Sequence, residues 1–234
     1  MIRYMIHVCN KREWYVSEFL LPSMLKQGIP ESDIYVWHDY DCLGNLKSCI
    51  NSFRWCGDNL ESEDAVWHIQ DDVIITDRFR EMTERPYAGY ANGFCNKDFD
   101  KDKCQYTGDN LTLEQGWWSF QCVRIPNKFA AGFAEWMRNE VFFQNSFEEL
   151  TCMGRCDDSL FQIWMKDYRE NETASNIAPC IVDHIDYLIG GTIINQDRDG
   201  DKYTAYWRDA NMDDLVAELE IKLAKRHEEQ HTQA

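Results

Sequence analysis

Blocks of apolar and polar residues alternate along the first half of the chain and predict strands and helices in turn. Residues 2–9 are rich in β-branched and aromatic side chains, which is typical of a buried strand. In residues 13–27, apolar side chains recur close to helical spacing until Gly28 and Pro30 end the helix. The pattern continues with predicted strands at residues 34–37, 65–69 and 87–94, a helix at residues 43–55 closed by Gly57, and a helix from residue 78.

This alternation predicts the fold class. Consecutive strand–helix–strand units form right-handed crossovers, so we expect an α/β domain with a Rossmann-like, mostly parallel central sheet flanked by helices. Strand character returns at residues 117–124 and 177–182. Residues 212–227 carry one apolar stripe at helical spacing. We therefore expect a single domain in residues 1–211, followed by a C-terminal amphipathic helix and tail in residues 212–234.

Composition and charge restrict the class of protein further. The chain has 234 residues, of which 44% are hydrophobic and 14% aromatic, so a disordered or fibrous chain is excluded. The net charge of −17 opposes a uniformly charged DNA-binding surface, because phosphate affinity comes mainly from Lys and Arg. No apolar run approaches the roughly 18 residues of a membrane span, and no secretory signal is present. We expect a cytoplasmic protein with free thiols at its ten cysteines, and a bridge between Cys152 and Cys156 is the alternative left open.

Polar residues follow the first three predicted strands, at the point where each strand ends. They are Asn10–Arg12, Asp39–Asp41 and Gln70–Asp72. In open α/β sheets, ligands bind beyond the carboxyl ends of the strands, near a topological switch point. The three groups are therefore expected to surround one crevice.

Three short segments carry candidate chemistry. Asp71 and Asp72 directly follow an apolar strand, Asp157 and Asp158 lie at a predicted helix start, and His184 follows a late strand. Mg²⁺ and Mn²⁺ take carboxylates together with substrate phosphates, so a hard divalent cation suits this set. Taken singly, paired aspartates are more often helix caps or solvated turns, and a lone histidine is more often structural.

The order and setting of these segments resemble those of the GT-A-fold glycosyltransferases. Residues 70–73, Gln-Asp-Asp-Val, are similar to the family's DXD-type motif in a variant form. Residues 155–161 resemble the motif that carries the acceptor-activating carboxylate, and residues 179–185, leading to residues 190–195, resemble the segment that supplies a third metal ligand. The resemblance spans about residues 2–195, with weaker support from residues 10–12 and 116–120.

The resemblance implies a metal-dependent enzyme that moves a sugar from a nucleotide-sugar donor, with a UDP-sugar as the first choice, to an acceptor hydroxyl. It implies a Mn²⁺ or Mg²⁺ ion held by Asp72 and His184, with Asp71 nearby, that acts as a Lewis acid on the leaving diphosphate. Asp158 would deprotonate the acceptor as general base, with inversion at the anomeric carbon as the expected outcome and retention as the alternative. Asp157 would cap the helix or contact the acceptor.

Donor and sugar contacts are expected on the rim of the same crevice. Four residues are assigned to the donor: Asn10, Arg12, Asp39 and Gln70. Asp39 is placed to hydrogen-bond the nucleoside, or is a solvated turn carboxylate, and Arg12 is placed to pair with a phosphate or to cap a helix carbonyl. Trp117 and Trp118 are candidates either for a sugar-stacking platform or for the core.

Other functions stay open on the sequence. A phage-type glycosyltransferase acting on a hydroxymethylated DNA base fits a compact chain, although the net charge of −17 opposes it. A GT-A-like domain that binds nucleotide sugar without turnover fits the same motifs, but such a module needs no base at Asp158. A metal-dependent phosphate hydrolase is expected to cluster more histidine than the six present here. The acceptor is left as a saccharide, a protein or a modified DNA base.

Overall fold

The computed structural model describes residues 1–40, 45–87, 89–94, 110–111, 120–141, 160–161, 164, 174–177, 179–190 and 210–232. The strands in this part of the chain are β1 (Ile2–Cys9), β2 (Ile34–Asp39), β3 (Ala65–Gln70), β4 (Val73–Ile75), β5 (Tyr90–Asn92), β6 (Asn110–Leu111), β7 (Cys122–Pro126), β8 (Ala174–Asn176) and β9 (Val182–His184). The α-helices are α1 (Glu13–Tyr15), α2 (Leu21–Lys26), α3 (Asn45–Asn59), α4 (Phe79–Thr83), α5 (Asn127–Trp136), α6 (Asp186–Ile189) and α7 (Met212–Thr232). Short 3₁₀ turns cover Asn10–Arg12 and Glu31–Asp33, and π-helical turns cover Val16–Leu20 and Met137–Val141.

Seven of these strands form one sheet in the order β2-β1-β3-β7-β5-β8-β6. β1 is parallel to both β2 and β3, and β5 is parallel to β8. β7 is antiparallel to both β3 and β5, and β6 is antiparallel to β8. Strands β1, β2, β3, β5 and β8 therefore run in one direction, which confirms the expected mostly parallel α/β sheet.

Each face of the sheet covers its own apolar core, because side chains alternate along a strand. On one face, Tyr4, Ile6 and Val8 of β1 pack with Trp67 and Ile69 of β3 beneath the helices α2 and α7. On the other face, β1 and β3 pack against α3 and α5 through a second cluster of buried residues that includes Met5, Val66, Phe53, Phe129 and Phe133. Helices on both faces agree with the sequence prediction.

Two predicted boundaries are wrong. Helix α3 does not end at Gly57 but continues to Asn59. A Cβ atom at Gly57 would lie 2.4 Å from the Cβ of Ala131 on α5, so glycine serves here as a close-approach residue rather than a helix stop. The strand predicted at residues 177–182 lies later in the chain. It is β9, which runs from Val182 to His184, so His184 is the last residue of the strand instead of following it.

Two further expectations concern thiols and membranes. The cysteines in the described part of the chain are free thiols, as predicted: Cys9, Cys49, Cys56, Cys122 and Cys180. Among the described helices, none combines the length and the apolar character that a membrane crossing requires.

Two histidines lie on the face of the sheet that packs against α3: His68 is fully buried and His7 is half-buried. His7 on β1 hydrogen-bonds the Ser48 hydroxyl, and its ring centroid lies 5.5 Å from that of His68 on β3. His68 Nε2 lies 3.2 Å from Ser52 Oγ. Burial lowers the pKa of His7 to about 4 and lowers the pKa of His68 well below its usual value. Both rings are therefore neutral at pH 7.

We predict that His7 makes the fold sensitive to acid. The pKa of His7 is near 6.5 in the unfolded chain but about 4 in the folded protein. The stability that comes from keeping His7 neutral is therefore complete above about pH 6.5 and is lost as the pH falls toward 4. That shift corresponds to about 3 kcal/mol in the free energy of unfolding. Urea denaturation between about pH 8 and about pH 4.5 should show a smaller acid-induced loss for His7→Gln than for the wild type.

The matched control is His227→Gln, because His227 is exposed on α7. This variant should follow the wild-type pH profile. Identical pH profiles for His7→Gln and the wild type would contradict the lowered pKa of His7 in the folded protein.

Candidate functional site

The carboxyl ends of β1, β2 and β3 meet at one edge of the sheet. Strand register places Cys9 opposite Asp39, and His7 opposite Gln70. Asn10 follows β1 directly, and its side-chain amide donates to the Tyr40 carbonyl at 3.0 Å. Asp39 is 3% exposed. The structure thus brings the predicted donor residues Asn10, Arg12, Asp39 and Gln70 to one edge, while their contacts with a donor stay a prediction.

A buried guanidinium joins the ends of β1 and β3. Arg12 Nη1 lies 2.8 Å from Asp71 Oδ1 and 2.6 Å from Asp72 Oδ2. Arg12 Nε donates to the Gly190 carbonyl at 3.1 Å, and the Cys9 N–H donates to Asp71 Oδ2 at 2.6 Å. Arg12 therefore contacts the acidic pair directly, and both oxygens of Asp71 are engaged.

His184 is held beside Asp72 by a second, two-stranded sheet. β4 and β9 pair in antiparallel fashion with Val73 opposite His184, and the Ile185 N–H donates to the Asp72 carbonyl at 2.8 Å. His184 Nε2 consequently lies 3.2 Å from Asp72 Oδ2, and its Nδ1 lies 3.5 Å from Asp186 Oδ1. The structure thus brings the predicted metal ligands Asp72 and His184 side by side, while their binding of a metal ion stays a prediction.

The charges of this cluster shift one another's pKa values. Burial by itself would raise the pKa of Asp72, but the charges of His184 and Arg12 outweigh it and hold that pKa well below its usual value. Burial opposes protonation of His184, yet the Asp72 carboxylate raises its pKa. Burial and the charge of Asp72 raise the pKa of Asp71 against the opposing charge of Arg12. Of the two carboxylates, Asp72 is therefore the one whose ionised form its surroundings favour.

The pair Asp72 and His184 fits a divalent cation as two neighbouring ligands. In an octahedral ion with bonds of about 2.1 Å, adjacent ligand atoms are about 3.0 Å apart, close to the 3.2 Å between Oδ2 and Nε2. Asp72 Oδ1 is buried without a hydrogen-bond partner. Within the described ranges, no group of three His, Cys, Asp or Glu side chains is arranged for a metal ion. An ion here would depend on two protein ligands together with substrate oxygens and water.

Three participants were not found from the sequence. The Cys9 N–H and the Gly190 carbonyl are backbone groups, so no residue type signals them. Asp186, whose Oδ1 lies 3.5 Å from His184 Nδ1, does carry a signal, because an acidic residue two positions after a candidate ligand can lie beside its ring.

The remaining predicted site residues lie outside the described residues. These are the acceptor-side residues Trp117, Trp118, Asp157 and Asp158. Their assignments stay predictions from the sequence.

Comparison with known proteins finds weak similarity to two solved structures of glycosyltransferases. No protein-family model matches the chain, and no curated protein matches it in sequence. A solved structure of the galactosyltransferase LgtC in complex with donor and acceptor sugar analogs is similar at a TM-score of 0.41 and 11% identity, covering 79% of this chain and 87% of that one. The apo-form glycosyltransferase GlyE of Streptococcus pneumoniae TIGR4 is similar at a TM-score of 0.39 and 8% identity, covering 74% of this chain and 44% of GlyE.

This chain thus spans less than half the length of GlyE. Both solved structures are glycosyltransferases of low sequence identity to it. Because the similarities are weak, the functional argument rests on the side chains of the site.

We predict that Asp71→Ala lowers the free energy of unfolding by about 2–3 kcal/mol, because the Cys9 N–H loses its acceptor and Arg12 keeps one counter-ion. Asp71→Asn should recover part of this loss, since it retains an oxygen acceptor. Urea denaturation at neutral pH measures both variants.

The matched control is Asp33→Ala. Asp33 pairs with Arg3 near the opposite end of β1, is 19% exposed, and leaves Arg3 paired with Asp64 when removed. Its loss should be about 1 kcal/mol or less. Equal losses in the free energy of unfolding for the two alanine variants would show that Asp71 contributes no more to stability than Asp33 does.

Proposed function

We propose that the chain is a metal-dependent glycosyltransferase that moves a sugar from a UDP-sugar to an acceptor hydroxyl with inversion. The observation that supports this most is the spacing of Asp72 and His184 as two adjacent metal ligands at the carboxyl edge of parallel strands. Ligands bind at this edge in α/β sheets. A site with two protein ligands suits an ion whose other ligands come from substrate phosphates.

Asp72 and His184 would hold the Mn²⁺ or Mg²⁺ ion. When bound, the ion would neutralise the diphosphate as the glycosidic bond breaks. The proposal narrows the expected ligand set to this pair, because both Asp71 oxygens are engaged by Arg12 and the Cys9 N–H. Asp71 then serves as a positioning residue that keeps the edges of β1 and β3 together.

Donor binding is assigned to the residues around the acidic pair. Arg12 Nη2 has no hydrogen-bond partner among the described residues, so a phosphate oxygen can accept a hydrogen bond from it. Asp39, at the end of the neighbouring parallel strand β2, is assigned to the nucleoside hydroxyls. Asn10 follows β1, and Gln70 ends β3 on the other side of β1. Arg12 is thus the positively charged side chain of this edge that we assign to the diphosphate.

Acceptor activation is assigned to Asp158, with Asp157 beside it, on the strength of the sequence segment alone. A general base that takes the hydroxyl proton while the acceptor attacks the anomeric carbon in line gives inversion. Trp117 and Trp118 are assigned to sugar stacking on the same basis.

Donor binding can be tested by thermal shift with UDP-, GDP-, CMP- and dTDP-sugars, each with and without Mn²⁺. A ligand at a hundred times its dissociation constant stabilises the fold by about 2.7 kcal/mol. We expect the largest shift with a UDP-sugar and Mn²⁺ together, and we expect Asp72→Asn to lose the metal-dependent part because the ligand charge is gone.

Asp33→Asn, remote from this edge, should keep the full shift. A metal-dependent shift that survives in Asp72→Asn would exclude Asp72 as a ligand. Absence of any shift across the panel would contradict donor binding.

The acceptor base can be tested with Asp158→Asn, which preserves shape and removes the base. We expect donor binding to survive while sugar transfer falls by about 10²–10⁴-fold, and donor hydrolysis to fall less. Transfer is measured on the acceptor found in a screen of saccharides, peptides and hydroxymethylated DNA.

Asp157→Asn is the matched variant and should retain most transfer. Near-normal transfer by Asp158→Asn with an inactive Asp157→Asn would exchange the two roles. Donor binding with no transfer or hydrolysis by the wild type would point to a binding module instead of an enzyme.

A further inference from the structure

The oxygen best placed to bind a cation is already occupied. Asp72 Oδ2 accepts from Arg12 Nη1 at 2.6 Å and lies 3.2 Å from His184 Nε2. A carboxylate oxygen has two lone pairs, and these two nitrogens take both. The other oxygen, Asp72 Oδ1, is buried without a partner. One oxygen of the Asp72 carboxylate thus has two partners, and the other has none.

The guanidinium also supplies the charge that a metal ion would supply. Arg12, Asp71 and Asp72 are 6%, 5% and 7% exposed, so water screens their charges weakly. With Arg12 in place, the three side chains carry a net charge of −1 in place of −2. A divalent cation entering beside the guanidinium would lose attraction to the acids and gain repulsion from a buried positive charge.

We propose that Arg12 is the resident counter-ion of the acidic pair, and that a divalent cation binds at Asp72 only when the guanidinium leaves that carboxylate. This inference rests on the proposed function for the identity of the ion's site. It implies that the free protein binds divalent cations weakly. A diphosphate favours metal uptake by offering the guanidinium another partner.

The contacts of Arg12 are consistent with such an exchange. Its third contact is to a neutral acceptor, the Gly190 carbonyl, and its Nη2 has no partner among the described residues. Arginine's planar fork matches phosphate oxygens in a bidentate manner. A diphosphate at this edge can therefore replace the hydrogen bonds that Arg12 gives up at Asp72.

The test measures binding of Mn²⁺ alone to the full chain, from the electron paramagnetic resonance signal of free Mn²⁺. Arg12→Gln should bind Mn²⁺ at least about tenfold more tightly than the wild type, which is about 1.4 kcal/mol. The double variant Arg12→Gln/Asp71→Asn separates occupancy from charge, because its net charge at the three positions equals that of the wild type. It should also bind at least about tenfold more tightly.

If Arg12→Gln alone does not fold, the double variant still decides the question. The double variant buries one uncompensated carboxylate beside His184, whereas Arg12→Gln buries two. The matched control is Arg3→Gln. Arg3 lies on the same strand and bridges two carboxylates, Asp33 and Asp64, far from this edge. It should bind Mn²⁺ like the wild type. Wild-type affinity in the double variant, or no Mn²⁺ binding by any variant, would overturn the inference.

A second arm repeats the titration with saturating UDP in every sample, so that chelation of Mn²⁺ by UDP is common to all. The advantage of the Arg12 variants should then disappear or reverse, because the guanidinium has left the acids in the wild type as well. If the Arg12 variants still bound Mn²⁺ more tightly than the wild type by the same factor, the role assigned to the diphosphate would be wrong. Failure of sugar transfer would leave the Mn²⁺-only comparison unaffected, so the two proposals can fail separately.

Discussion

The site depends on a buried positive charge placed between two buried negative ones. Removing a charged side chain from water costs several kcal/mol, and this cost is offset only when the partner charge and hydrogen bonds are well placed. Arg12 meets this condition with two carboxylates and the Gly190 carbonyl. Because Arg12 follows β1, Asp71 and Asp72 follow β3, and Gly190 follows α6, one guanidinium ties three separate parts of the chain to one edge of the sheet.

The backbone around this network leaves its members little freedom. Parallel pairing of β1 with β3 sets the distance between Arg12 and the acids, and antiparallel pairing of β4 with β9 sets His184 beside Asp72. Sites carried on strands are held more precisely than sites on loops. The Asp72–His184 spacing of 3.2 Å is therefore a property of the sheets as much as of the two side chains.

This arrangement also connects stability with the proposed chemistry. The charges that lower the pKa of Asp72 keep it ionised, and in the proposed mechanism the same guanidinium would compete with a cation for it. Such a site would be stable without a ligand, and an anionic substrate would redistribute its charges. The neutral pair of half-buried His7 and buried His68 lies on the α3 face of the same strands and adds a second dependence on pH.

The α/β class, the parallel start of the sheet and the gathering of Asp39 and Asp72 at one edge were predictable from the sequence. The alternation of strand and helix segments is a local pattern, and crossover connections then make successive strands parallel. The sequence also singled out His184. It missed the end of α3 at Asn59, since Gly57 is chosen by its approach to Ala131 and not by its own helix. Only the tertiary structure showed that Arg12 rests on the acids, because a long side chain selects its partner by distance across strands, and sequence separation carries no such information.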